Sequence, residues 1–433
     1  MARHLWVLLG LALLLPATTA RSEPTTISVP DAARFAISLG DLKAAEDILL
    51  IALNANPTSP EALFLMGEVE SRQGNYDKAV PYYRRILVDH PGLVRVRLDL
   101  ARALFESHDD EAAEYHFRLV LAQPDLPQSV VDNVYRYLAA IRERKRYVFF
   151  LEIGVAPDTN INAAPALNQV MLFGLPFTLS EPAKQKSGVG LVVSTNGEYL
   201  TPLAPDIRLR TGASLYRAEY PGSSAFDDMQ LRVDAGPQFL FPRSDVSVLA
   251  VLAKRWFGND PYNQGHGGRI EASHLFTDRL RVEGYIEGLD LSYHTQTFLD
   301  GFGVDGVLFS TYGLNSSSFV RLITGAGTQR TQFDAFSNYS LRLGVAYQQD
   351  FPYGVTAYLE PDVTLTQYDA TNVLFGKRRH DTTVSARLAL NKRDLQLFGF
   401  SPVLSYTFSR DISNIDFFGF VRNQFEIGLT RDF

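Results

Sequence analysis

Residues 339–347 read Tyr-Ser-Leu-Arg-Leu-Gly-Val-Ala-Tyr. Tyr339, Leu341, Leu343, Val345 and Tyr347 therefore fall on one side of an extended chain, and Ser340, Arg342, Gly344, Ala346 and Gln348 on the other. A period of two is what a β-strand with one apolar and one polar face requires. The pattern recurs through the second part of the chain. Leu231, Val233, Ala235, Pro237 and Phe239 oppose Gln230, Arg232, Asp234, Gly236 and Gln238. Ile207, Leu209, Ala213 and Leu215 oppose Arg208, Arg210, Gly212 and Ser214, and Val384, Ala386, Leu388 and Leu390 oppose Ser385, Arg387 and Asn391. Two architectures produce such faces: a soluble sandwich with its apolar sides inward, or a membrane barrel with apolar sides toward lipid and polar sides toward a lumen.

Three features favour the barrel. Aromatic residues gather toward the strand ends, at Tyr216, Tyr220, Phe239, Phe241, Tyr339, Tyr347, Phe351 and Tyr353, as interfacial girdles would place them. Charges of both signs sit on the polar faces, with Arg208, Arg232, Arg342 and Arg387 beside Asp234, Glu360 and Glu426, as an aqueous lumen allows. The chain also stops on a strand, where Phe425, Ile427, Leu429 and Phe433 alternate with Glu426, Gly428, Thr430 and Asp432. At roughly 20 residues per strand with its turn, residues 147–433 hold about 14 antiparallel strands, with about 12 or 16 as alternatives. Turn signals put their beginnings near Tyr147, Ser187, Ile207, Asp228, Asp245, Gly265, Arg279, Asp305, Ser318, Ser337, Gly354, Asp381, Gln396 and Gly419.

The bulk figures agree once the faces are separated. The mean hydropathy is −0.06, and the longest uncharged apolar run, Leu5 to Leu15, is short of the roughly 20 residues a spanning helix needs. Membrane helices are excluded, while alternating strands cancel in any hydropathy window. The 29 Phe and 20 Tyr against 2 Trp fit aromatic rims. A net charge of −7 with scattered cations carries no nucleic-acid footprint. With no cysteine, the chain has no disulfide, thiolate metal site, cysteine nucleophile or lipid-modified Cys.

The N-terminus reads as an export signal over residues 1–20, with Arg3 and His4, the Leu5–Leu15 run and the small residues Pro16 to Ala20 in order, so the mature chain should begin at Arg21. Export without cysteines suits a bacterial envelope. Residues 21–146 then carry a 34-residue repeat. Gly40-Asp-Leu-Lys-Ala-Ala45 recurs as Gly74-Asn-Tyr-Asp-Lys-Ala79, Pro57 recurs as Pro91, and Ala113 and Phe117 continue the register with His108 where the glycine stood. This is the tetratricopeptide period, two antiparallel helices per repeat, near residues 26–59, 60–93 and 94–127, with a capping helix at 128–146. Gly67 stands where one helix should touch its partner. Such stacks hold extended peptides or proteins on their concave face, or serve only as spacers. The junction Arg142-Glu-Arg-Lys-Arg146 either complements a helix C-terminus or meets anionic headgroups.

An export signal, helical repeats and a terminal barrel, together with Ala156-Pro-Asp-Thr-Asn-Ile-Asn162, Arg255-Trp-Phe-Gly258 followed by Tyr262 and Gly265, and Gly428-Leu-Thr-Arg-Asp-Phe433, resemble the surface lipoprotein assembly modifier family over essentially the whole mature chain. The resemblance implies an outer-membrane translocator that carries client proteins, often lipoproteins with a barrel-like domain, from periplasm to cell surface. Its repeats would lie in the periplasm and meet client or chaperone. Phe433 looks like the terminal signal read by the barrel assembly machinery. A polysaccharide exporter is the alternative, followed by a porin-like channel.

The candidate client or lumen contacts are Asp158, Asn160 and Asn162 where the first strand ends, Trp256, and Leu172, Phe173 and Phe177. The last three belong to residues 163–184, which should be a loop yet hold Leu167, Val170, Met171, Leu175 and Leu179 as well. A water-bathed loop seldom carries so much apolar side chain, so it should fold into the barrel or meet a client. Asn160 and Asn162 could equally serve as turn residues. Gly301-Phe-Gly-Val-Asp-Gly306 matches GxGxxG in letters without its βαβ setting and reads as a turn. Gly265-His-Gly-Gly268 reads as a loop, and none of the eight histidines has metal-ligand spacing. No catalytic site and no cofactor are expected.

Overall fold

The computed structural model describes residues 28–144 and 146–432, so the export signal and Phe433 lie outside the described residues. Seven helices come first: α1 (Val29–Ser38), α2 (Leu42–Ala55), α3 (Pro60–Arg72), α4 (Tyr76–Asp89), α5 (Val94–Glu106), α6 (Asp110–Leu121) and α7 (Gln128–Arg144). None is long and apolar enough to cross a membrane. Each starts for a local reason where a cap is present: Ser28, Asp41, Ser59 and Asp109 accept a backbone N–H from the first turn. The turns inside the repeats need a left-handed residue. Gly40 and Gly74 supply it at φ 79° and 80°, and His108 adopts the same conformation at φ 65°, so the third repeat keeps the turn without the glycine. Gly67 lets α3 lie on the buried Tyr83 ring, since a Cβ there would come 2.6 Å from Cε1. One core gathers Leu100, Leu104, Phe117, Val120, Val134 and Ile141 from α5, α6 and α7, with Phe117 stacked on Tyr137 at 5.0 Å between centroids.

The strands follow: β1 (Tyr147–Asp158), β2 (Gln169–Leu172), β3 (Leu175–Thr178), β4 (Gly188–Ala204), β5 (Ile207–Glu219), β6 (Asp228–Phe241), β7 (Ser244–Phe257) and β8 (Asp260–Leu275). Then come β9 (Leu280–Tyr293), β10 (Gly301–Asn315), β11 (Ser318–Thr331), β12 (Asn338–Phe351), β13 (Val355–Asn372), β14 (Lys377–Lys392), β15 (Ser401–Ser413) and β16 (Phe420–Asp432). Strands β2 and β3 form a separate hairpin; the other fourteen close into one antiparallel barrel in which β1 meets β16. The alternation along 339–347 is realised: Tyr339, Leu341, Leu343, Val345 and Tyr347 point outward and are exposed. Ile286 and Ile427, 64% and 66% exposed, belong to the same outer band. Apolar side chains bared to that extent around a whole barrel require lipid, not water, outside.

Four expectations are corrected. Tyr216 and Tyr220 are not girdle residues: they share parity with the inward Arg208, Arg210 and Ser214, and Tyr220 is buried against Ala156, Ile161, Val192 and Ala218. Trp256 pairs with Met229 on the outward parity of Leu252 and faces away from the lumen, with Lys254 Nζ 5.1 Å from its ring centroid. Gly265–Gly268 is strand, in β8, where Gly267 permits close approach to β9; a Cβ there would meet the Gly288 carbonyl oxygen at 1.9 Å. Gly301–Gly306 likewise opens β10 and is no turn.

Candidate functional site

The inner wall carries a lattice of ion pairs. Arg210 on β5 reaches Glu198 on β4 at 2.8 Å and Glu271 on β8, while Arg232 on β6 bonds Glu287 on β9, with 2.8 Å from Nη1 to Oε1. Both arginines thus cross the inner face of β7, whose inward Ser247, Leu249 and Val251 are almost wholly buried. On the other side Arg342 joins Asp362 at 3.1 Å and Glu360 at 3.2 Å. Buried ion pairs of this kind contribute little net stability after desolvation; what they set is a polar, charge-lined interior.

The Asp158–Asn162 segment closes the barrel. Strand β1 pairs with β16 from Phe150↔Asp432 to Val155↔Ile427 and again only at Asp158↔Gln424. Pro157 has no N–H to donate, and above it side chains supplement the backbone. Arg422 Nε donates to the Asp158 carboxylate at 2.8 Å and its Nη2 at 2.5 Å, and the Asp158 side chain is wholly shielded. Thr159 N–H donates to Asn423 O at 3.0 Å, and Asn423 N–H donates to Thr159 Oγ1 at 2.9 Å. The Asn160 amide, fully buried, donates to Val421 O at 3.1 Å and to Ala164 O at 2.9 Å. Asn162 holds the returning limb, donating to Lys184 O at 2.7 Å and accepting from Lys186 N–H at 3.0 Å. Asn160 and Asn162 thus bond the local backbone as turn residues do, at the mouth of the barrel. Arg422 and Val421 are the members that sequence alone does not single out.

Beyond this clasp, residues 159–187 form the longest connection at the rim away from the helices, with the β2–β3 hairpin at its tip. Val170 and Leu179 are buried beneath it, whereas Met171, Phe173, Leu175 and Phe177 are exposed and Leu172 is half-buried. Phe173 N–H donates to Leu374 O in the β13–β14 turn at 2.8 Å. The hairpin is therefore fixed to the far rim, with an apolar surface continued by the exposed Val373 and Leu374.

At the opposite rim α6 and α7 lie against the strand ends. Tyr115 OH donates to Asp350 at 3.2 Å and accepts from Gln348 Nε2 at 3.1 Å, with the Arg393 guanidinium 4.3 Å over its ring. Arg97, 2% exposed, lies 3.6 Å from Asp350 and donates to Pro91 O at 2.6 Å, and its Nη1 is 3.1 Å from His116 Nδ1. Farther round, Tyr135 and Arg243 share Asp278, Arg142 donates to Phe241 O at 2.8 Å, and Gly313 makes room for Ala122. Arg144 turns back to Asp110 and lies over Phe105. Arg142 and Arg144 of the junction are thus internal struts. A cavity of about 780 Å³ remains between α6–α7 and the β4–β9 side of the wall.

Burial, then the neighbouring Arg97, Arg393 and Arg84, holds His116 well below its ordinary value of 6.5. The folded imidazole stays neutral while the unfolded one titrates, so the stability it contributes is complete above about pH 6.5 and falls as the pH drops below it. Thermal unfolding of the helical domain should accordingly lose stability between pH 7.5 and 5.5, and His116→Gln should flatten that dependence. An equal slope in the variant would disprove the assignment.

Comparison with known proteins places this arrangement. A family profile described as surface lipoprotein assembly modifier matches residues 148–433, and one for the N-terminal repeats of the same family matches residues 53–117. Surface lipoprotein assembly modifier 1 of Neisseria meningitidis serogroup B is 25% identical over 86% of this chain and 76% of its own. Hemophilin secretion modulator of Acinetobacter baumannii is 23% identical over 82% and 75%. Among solved structures, the outer-membrane channel DcaP of Acinetobacter baumannii aligns with a TM-score of 0.41 and 6% identity over 66% of this chain and 96% of that one.

Proposed function

Because the chain belongs to the surface lipoprotein assembly modifier family, we propose that this outer-membrane barrel delivers client proteins, lipoproteins foremost, from the periplasm to the cell surface. The observation that carries the reading is a family-matched barrel whose two rims are both furnished with protein: docked helices at one, an apolar hairpin at the other. The helical repeats stand in the periplasm, where their concave face takes client or a chaperone that brings it. The barrel assembly machinery reads the last strand and Phe433. The role is transport, without catalysis.

A client without lipid is a second reading, favoured by the Acinetobacter relative named for hemophilin secretion. The two clients make different demands. Polypeptide is at ease in an ion-paired lumen, whereas each methylene of an acyl chain gives up about 0.8 kcal/mol on leaving lipid.

Deleting the gene and reading surface-exposed proteins by protease shaving and mass spectrometry, beside a measurement of surface polysaccharide, tests the function. Specific loss of one or more surface lipoproteins is expected. Loss of polysaccharide with an unchanged surface proteome would replace the reading with polysaccharide export.

A further inference from the structure

We propose that the seam between β1 and β16 opens to pass the acyl chains of a lipid-anchored client, so that the anchor stays in the bilayer while its polypeptide uses the lumen. This rests on the translocator reading above. The seam differs from every other strand pair in the barrel. Among the described residues β1 and β16 are in register at seven positions, against eleven for β14 with β15 and for β15 with β16 and fifteen for β13 with β14. The ladder skips Ala156-Pro157, and beyond it the Thr159 N–H bond to Asn423 O is reinforced by side chains: the Asp158–Arg422 pair, the Thr159 hydroxyl on Asn423 N–H and the Asn160 amide on Val421 O. A strand ladder opens only by losing many bonds in sequence; a side-chain clasp above a proline break can exchange its partners for water one at a time.

Two further features bear on the occupant. On the inner side of the seam Gly154 lies opposite Gly428, where a Cβ at 428 would stand 2.7 Å from Ile153 O, and Glu426 of β16 lays its side chain across this level, its Oε1 2.8 Å from where a Cβ at 154 would be. At the seam's helical end the β14–β15 loop bares Leu395, Leu397 and Phe398, the last 87% exposed. Arg431 on β16 fastens that loop by donating to Phe398 O at 2.9 Å, and it is the register partner of Leu151 on β1. An apolar landing surface thus stands beside the shortest ladder of the barrel, whereas the lumen meets an acyl chain with a lattice of ion pairs.

The absence of cysteine makes the test direct. Ile153→Cys with Leu429→Cys, outward-facing register partners across the seam, would be joined by a disulfide; Leu404→Cys with Ile427→Cys would join β15 to β16 as the control. Cells carrying the full-length variants are compared under oxidant and reductant, with disulfide formation and heat-shifted gel migration read alongside. The reporter is a lipoprotein that disappears from the surface of the deletion strain, in its acylated form and in a form lacking the acylated cysteine. The expected result is an about tenfold or greater loss of the acylated form at the surface when the seam is locked. Reductant should reverse that loss, while the control lock and the non-acylated form show no change. Undiminished delivery of the acylated form through a locked seam overturns the proposal and leaves the translocator reading intact. Equal blockage of both forms overturns the acyl assignment. An unlocked variant that delivers neither form overturns the translocator reading, and the proposal with it.

Discussion

Excision of Leu167–Leu179 should remove surface delivery of the client, a fall on the order of tenfold or more, while the barrel still assembles and still shifts on gels when heated. The structure makes the cut clean: Leu179 N–H donates to Asn168 O at 2.9 Å, so the ends of the excised segment already stand together. The clasp at Asp158–Ala164 and the strand residues from Gly188 onward are untouched. What leaves is Met171, Phe173, Leu175 and Phe177, exposed at the far rim. One such side chain buried against a partner is worth about 1.5–3 kcal/mol, and about 1.4 kcal/mol is tenfold in an equilibrium, so the loss of four exceeds the stated effect if they meet the client. Normal delivery by the shortened protein would show that this surface has another purpose.

Asp350→Ala should undock the helices from the barrel. Its carboxylate accepts from Tyr115 OH and from Thr356 Oγ1 at 2.9 Å, and it is the acid nearest to the Arg97 guanidinium, which burial already presses below the usual arginine range. Removing one member of a buried pair leaves the other charged and desolvated, at about 3–5 kcal/mol. Limited proteolysis should then release the helical domain from a barrel that keeps its heat shift. Asp350→Asn, which can still accept from Tyr115 and Thr356, should release it less. A helical domain as resistant in Asp350→Ala as in the parent would show that docking rests instead on Tyr135, Arg243 and Asp278.

The fold was legible because two periods change over at Tyr147, and alternation needs no knowledge of partners. Strand beginnings at Ile207, Asp228 and Ser318 can be read outright, since turn residues flank them. The boundary errors arise because letters that favour turns also serve inside strands, and apolar letters also serve in loops. Asp260–Gly265 is rich in Pro, Asn and Gly, yet the chain reverses at Gly258 and Asn259, at φ 62° and 69°. Lys377-Arg-Arg-His380 looks like a polar loop but continues β14. Leu395–Phe400 has the apolar content of a strand and is a loop held by Arg431. The site was half legible. Asp158 and Asn160 stand out as a motif, but their partners Arg422 and Val421 lie at the other end of the chain, and only barrel closure brings them together. Arg97, Tyr115 and Asp350 carry no motif, because a docking contact between a helix and a strand end leaves no period in either.

The unequal loops of the far rim have a consequence for recognition from outside. With that rim at the cell surface, β7 and β8 are joined there by residues 258–259 and β13 and β14 by 373–376, while residues 159–187 number 29 and no other connection at that rim exceeds eight. An antibody or a phage tail fibre approaching an intact cell would find one long feature to grip, the feature that carries the exposed Phe173 and Phe177. If that segment also meets the client, sequence change that evades such an attacker falls on the residues that delivery requires.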